Sequence, residues 1–200
     1  MSRPVIAISM GDPGGIGPEV VVKALSPCLG KARFVILGAG SCLAAAARAA
    51  KIRRFWTACG PGEAWPEGHV LIDYETKRRA AAYATKPTAV GGELSFRFVS
   101  DAITLAKSSQ EPRVDAVVTA PISKKAWQLA GHGEYPGHTE LFARLCGVER
   151  FGMFFHAPPA ASVMLTGMKA FVFHFGIFTK PARTPFVLSL SDGESAPPVG

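Results

Sequence analysis

Two hundred residues, 48% of them hydrophobic and 18% charged, are enough for one buried core and exclude a disordered, solvating chain. The longest apolar stretches are broken by Gly, Pro or charge before eighteen residues. The start MSRPVIAISMGDPGG also lacks the long apolar region of a secretory leader, so no membrane span and a cytoplasmic location are expected. The net charge of +7 falls in short clusters without interleaved aromatics (Arg53-Arg54, Lys77-Arg78-Arg79, Lys124-Lys125), which fits solvated faces or an anionic small substrate better than nucleic acid.

In chain order, Val5 to Met10 (VIAISM) reads as a strand that meets the loop GDPGGIGPE. Pro18 to Leu25 then has helical spacing, with Pro18 at a first helical position. Phe34 to Leu37 (FVIL) is a second strand, closed by Gly38-Ala39-Gly40, and Ser41 is placed to cap the Ala-rich helix that follows. Residues 56–90 are dense in Gly and Pro, with HVLIDY as a further strand. Gly92 to Lys107 turns helical, and Val114 to Thr119 (VDAVVT) is a strand ended by Ala120-Pro121. Ser123 caps a helix through Leu129, stopped by Gly131. His138-Thr139-Glu140 opens another helix, with Thr139 as its candidate cap and Gly147 as its stop. Met153 to Phe155 and Ser162 to Leu165 are two more short strands. Strand alternating with helix implies a parallel sheet in a layered α/β/α fold.

The pattern breaks at about Gly167. Five Phe crowd into residues 171–186, no helical stripe follows, and SDGESAPPVG reads as a tail. Two regions are therefore expected, 1–167 and 168–200. The four cysteines (Cys28, Cys42, Cys59, Cys146) form no CxxC pair and read as small half-buried thiols.

Three motifs can carry chemistry. Glycines 11, 14, 15 and 17 allow close backbone approach, and a helix starting at Pro18 points its free N–H groups at them. That suits an anion, the tight crossing of another segment, or a plain turn with Asp12 as its cap. The loop is neither a GxGxxG fingerprint nor a P-loop. The turn YPGHTELF presents His138 and Thr139 side by side at a helix start, where imidazole and hydroxyl can reach a carboxylate or phosphate. TAPISKKA follows a strand, so Lys124 or Lys125 stands at the carboxyl edge of the sheet, either meeting an anion or on a solvated face.

SMGDPGGIGPEVVVKAL, ATKPTAVGGELSFRFVSDAI and DAVVTAPISKKAWQLAGHGEYPGHTELFA, in that order, closely resemble the 4-hydroxythreonine-4-phosphate dehydrogenase (PdxA) family, from about Pro4 to about Leu165. The resemblance implies an isocitrate/isopropylmalate-dehydrogenase-like fold and a homodimer. It also implies oxidation of 4-phosphooxy-L-threonine by NAD or NADP, then decarboxylation to 3-amino-2-oxopropyl phosphate for pyridoxine synthesis. A divalent metal (Zn, Mg or Co) accompanies that chemistry in the family. His138 and Thr139 match the family's substrate-binding pair, and Asp12 and Lys124 are carried as possible anion or loop contacts.

The family's metal-binding histidine falls where this sequence has Met168, in VMLTGMKAF, and His174 lies six residues on. A thioether is a poor ligand for Mg²⁺, so no metal-binding residue is assigned; the motifs at hand identify no catalytic or cofactor-binding residue either. Residues 168–200 depart from the family, as in a truncated or frameshifted copy. An inactive remnant is therefore one alternative. Another is a paralogue acting on a different phosphorylated hydroxy acid, such as threonate or erythronate 4-phosphate.

Overall fold

The computed structural model of the protein describes residues 3–75, 83–109, 111–149, 151, 153–157, 160–164 and 186–189. The Lys77-Arg78-Arg79 cluster, Met168 and His174 lie outside them. The chain divides into two compact units, residues 1–134 with 185–200, and residues 135–184.

The larger unit holds a six-stranded sheet. Its strands are β1 (Val5–Ser9), β2 (Arg33–Gly38), β3 (Trp56–Cys59), β4 (His69–Asp73), β5 (Ala116–Thr119) and β8 (Phe186–Ser189), in the spatial order β3-β4-β2-β1-β5-β8. Every pairing is parallel. The central strands are rich in Val, Ile, Leu and Ala and are buried along almost their whole length, as a sheet covered on both faces requires.

The helices are α1 (Gly17–Leu25), α2 (Gly40–Ala49), α3 (Ala89–Lys107) and α4 (Lys124–Leu129). From β1 the chain moves through α1 to β2 on one side, and through α3 it reaches β5 on the other. Right-handed crossovers then set α1 and α2 on one face and α3 on the opposite face. Consistent with this, α1 packs on α2, while α3 packs on β1, β2 and β5.

Three expectations need correction. Ser41 does not cap α2: the helix begins at Gly40 behind Ala39, with no cap from a side chain of its own first turn. Its free N–H groups go instead to carboxylates that follow β4, Gly40 N to Asp73 Oδ1 at 3.0 Å and Ser41 N to Glu75 Oε2 at 2.6 Å. Charge-assisted bonds from two acids satisfy the helix end better than one hydroxyl would. Residues 186–189, in the Phe-rich segment where no element is expected, form β8 and extend the sheet beyond β5. Strand β3 was not anticipated in the Gly/Pro-dense stretch after residue 56.

At the amino edge of the sheet, Phe34 N donates to Nδ1 of His69 at 3.2 Å, and the two rings stack with centroids 5.4 Å apart. Burial lowers the His69 pKa from 6.5; the positive charges of Arg3 and Arg33 lower it further, against a hydrogen bond at Leu29 that raises it. The folded state thus binds this proton less readily than the unfolded chain. The stability it contributes is whole above about pH 6.5 and is lost as pH falls from there through the lower folded value. The melting temperature should therefore fall on acidification below about pH 6.5. His69→Asn, which keeps an acceptor for Phe34 N–H without titrating, should flatten that fall. Identical pH slopes for the two proteins would remove His69 as the cause.

The smaller unit contains α5 (His138–Cys146) and an antiparallel hairpin of β6 (Met153–Ala157) and β7 (Ala160–Met164). Both strands were anticipated within two residues at each end.

Candidate functional site

In an open parallel sheet the ligand edge is the carboxyl edge, at the point where the direction of the crossovers reverses. Here that point lies between β1 and β5. Two loops leave it, Gly11–Ile16 after β1 and Ala120–Ser123 after β5, and they are bonded to each other. Asp12 N donates to Pro121 O at 3.0 Å, and Gly11 adopts φ +78°. A Cβ on Gly11 would stand 2.1 Å from Pro121 O. A Cβ on Gly14 would stand 2.1 Å from Ala84 O, and one on Gly17 2.1 Å from Met10 O. Of the readings the sequence left open, these three glycines serve the tight crossing of backbone segments.

Asp12 is buried, and its Oδ1 accepts from Gly14 N at 2.9 Å. The carboxylate thus closes an Asx turn within its own loop. Gly91, in the first turn of α3, passes so close that a Cβ there would meet the same oxygen at 2.9 Å. Lys124 is the first residue of α4 and is exposed. The cap expected of Ser123 is present, its Oγ accepting from Ala126 N at 3.1 Å.

The same edge is acidic beside α2. Ser41 Oγ donates to Glu75 Oε1 at 2.5 Å, and Glu75 N donates to Asp73 Oδ1 at 3.0 Å. The neighbouring Cys42 thiol is pushed up to about 11, chiefly by burial, with the carboxylates of Glu75, Asp73 and Asp12 adding to the rise and a hydrogen bond from Ser41 opposing it. That rise disfavours the thiolate at neutral pH. Burial and the nearby Glu75 also raise the pKa of the Tyr83 hydroxyl. Sequence reasoning did not single out this cluster, because its members lie over thirty positions apart. In dinucleotide-binding sheets a helix end of this kind holds pyrophosphate. Here it is closed by the chain's own carboxylates, and it does not fit that group.

His138 and Thr139 belong to the smaller unit and are described there. Gly137 precedes α5 in a fully extended conformation, so His138 and Thr139 are the first two helical residues. Thr139 is inside the first turn, and no side chain caps α5; the expected Thr139 cap is thus corrected. Both side chains are half-buried, and Nε2 of His138 is withdrawn from solvent. The imidazole and hydroxyl stand at the positive end of a nine-residue helix, which favours an anionic group. Gly147, at φ 69°, ends the helix as expected. Among the described residues no three of His, Cys, Asp or Glu converge closely enough to share a metal ion, so those residues provide no metal cradle.

A layered α/β protein with a parallel sheet and a histidine–threonine helix start is the class these features define. The profile of the family described as pyridoxal phosphate biosynthetic protein PdxA matches residues 31–171, and the chain belongs to that family. It is 40% identical over 159 residues to the 4-hydroxythreonine-4-phosphate dehydrogenase of Synechocystis sp., covering 78% of this chain and 43% of that protein. It is 39% identical over 162 residues to the D-threonate 4-phosphate dehydrogenase of Salmonella typhimurium, covering 76% of this chain and 47% of that protein. The crystal structure of a 4-hydroxythreonine-4-phosphate dehydrogenase from Burkholderia phymatum superposes with a TM-score of 0.68 at 30% identity, covering 82% of this chain and 49% of that one. The chain spans about half the length of the relatives it matches.

Proposed function

We propose that this chain contributes the substrate-gripping part of a dehydrogenase acting on a phosphorylated hydroxy acid, with 4-phosphooxy-L-threonine as first choice and D-threonate 4-phosphate as its nearest competitor. The observation that carries the reading is the pairing of His138 and Thr139 in the first turn of α5, within a chain of this family. The helix end attracts the anionic group, the Thr139 hydroxyl donates to it, and His138 adds a directed N–H. NAD or NADP, when bound, takes up hydride from the secondary alcohol, and loss of carbon dioxide from the resulting β-keto acid follows. Action in pyridoxine synthesis, as a homodimer in the cytoplasm, belongs to the same proposal.

The test is a purified full chain given each phosphorylated acid with NAD or NADP and Zn²⁺ or Mg²⁺. NADH or NADPH formation and thermal stabilisation by the acid alone are both read. The expected result is stabilisation by at least one acid, lost in His138→Ala and partly kept in His138→Asn. If no acid shifts the melting temperature of the wild-type chain, the reading fails.

A second reading, a chain that binds the acid without turning it over, is favoured by the closure of the α2 end by Asp73 and Glu75. Stabilisation without cofactor reduction would select it. A D-threonate 4-phosphate preference in both readouts would select the paralogue.

A further inference from the structure

The amino edge of the sheet, opposite the loops described above, gathers five cations from neighbouring strands. Arg3 precedes β1, Lys31 and Arg33 stand at the start of β2, and Arg53 and Arg54 lead into β3. Strands β3, β4, β2 and β1 are consecutive neighbours, so the row spans three strand spacings, about 14 Å.

Two of these side chains are fixed without being neutralised. Arg33 donates from Nε to Gly68 O at 2.9 Å and from a terminal nitrogen to Pro66 O at 2.8 Å. Arg54 donates from Nε to Trp56 O at 3.0 Å. Carbonyls orient a guanidinium but leave its full charge in place. Among the described residues no carboxylate forms an ion pair with any of the five. Asp115, just before β5, accepts from Val5 N at 2.8 Å and keeps its charge, and neither it nor Glu67 forms an ion pair with any of the five. Arg3 and Arg33 add to the lowering of the His69 pKa, of which burial is the larger cause.

The aromatic rings of this edge are engaged by their neighbours. Arg33 lies over Trp65 and Arg54 over Trp56, while Phe55 packs edge-on to Trp56 and His69. A single-stranded nucleic acid needs open ring faces on which its bases stack, whereas Trp56 is buried and Arg33 already lies on one face of Trp65. A second copy docking by this same basic edge would bring like charge to like. A row of cations about 14 Å long, two of them guanidinium groups held in place, instead matches about four residues of an extended acidic segment, whose carboxylates arginine grips side-on.

We propose that the amino edge of the sheet, from Arg3 through Arg33 to Arg53 and Arg54, is a docking surface for an extended acidic segment of a partner protein. It acts independently of the carboxyl-edge site and of the activity proposed above.

The probe is a fluorescein-labelled peptide of ten glutamates, followed by anisotropy against the full chain at two salt concentrations. Binding should weaken with salt. It should also weaken at least tenfold in Arg3→Glu/Arg53→Glu, with Arg3→Gln/Arg53→Gln intermediate. Lys125→Glu/Arg144→Glu makes the same change in net charge elsewhere and should leave affinity within twofold. The glutamine variant keeps the test valid if the reversed one does not fold. An equal loss in the Lys125/Arg144 control would reduce the effect to net charge. Tighter binding of a ten-nucleotide thymidine oligomer or of anionic vesicles would overturn the assignment to a protein partner, as would no binding of the peptide.

Discussion

Replacing Gly11 by Ala should cost at least about 3 kcal/mol of stability. Two penalties combine there. The new Cβ would stand 2.1 Å from Pro121 O and 3.0 Å from Ala120 O, both backbone atoms that no side-chain rotation can move. The residue would also have to hold φ +78°, which costs an L-residue about 1–2 kcal/mol. Gly62 separates the two effects. It has φ +82°, but a Cβ there meets nothing within 4 Å. Gly62→Ala should therefore cost only the conformational part, about 1 kcal/mol. Urea unfolding of the two variants gives the comparison. Equal losses would show that the clash at the β1–β5 crossing is relieved at no cost, and the two loops would then not be held as described.

The second large effect is at Trp127. This side chain of α4 is wholly buried, and its Nε1–H donates to Ser95 Oγ at 3.0 Å. Ser95 Oγ in turn donates to Gly92 O at 3.1 Å, inside α3. The Phe96 ring meets the indole edge-on at 5.3 Å and stacks on His132 at 3.6 Å, and Glu93 lies 2.8 Å from His132 Nε2. Gly92 lets the helices approach, since a Cβ there would stand 2.0 Å from Ala126 O. Trp127→Ala removes the centre of this cluster and should cost about 3–5 kcal/mol. Trp127→Phe keeps most of the apolar volume but leaves Ser95 Oγ without its donor, for about 1–3 kcal/mol. Ser95→Ala in the Trp127→Phe background should then cost less than Ser95→Ala alone. Additive losses would mean that the indole N–H contributes nothing through Ser95.

Most of the α/β framework was legible because its signals are local. VIAIS, FVIL and AVVT are β-rich runs bounded by Gly or Pro, and Ser123 and Gly147 mark helix ends with the chemistry those ends need. What was missed depends on partners far along the chain. The α2 end is satisfied from positions 73 and 75, and no residue near Gly40 announces this. WTAC in β3 carries no clear alternation, and it becomes a strand by pairing with β4. FVLS in β8 likewise takes its state from β5. At the site, the DPGG run is enough to suggest an Asx turn at Asp12. Whether the glycines admitted a ligand or a neighbouring strand's loop could be decided only once Pro121, Ala84 and Met10 were placed beside them.

The pairing of β8 with β5 bears on how the polypeptide emerges during synthesis. Strand β5 is complete at residue 119, but its outer neighbour begins at residue 186. For the time needed to translate the intervening stretch, several seconds at about 5–20 residues per second, the nascent sheet presents the bare hydrogen-bonding flank of AVVT to the cell. A flank of that kind recruits stray strands. The interval before residue 189 is thus a period of exposure to aggregation, and one at which a ribosome-associated chaperone would have an edge to protect.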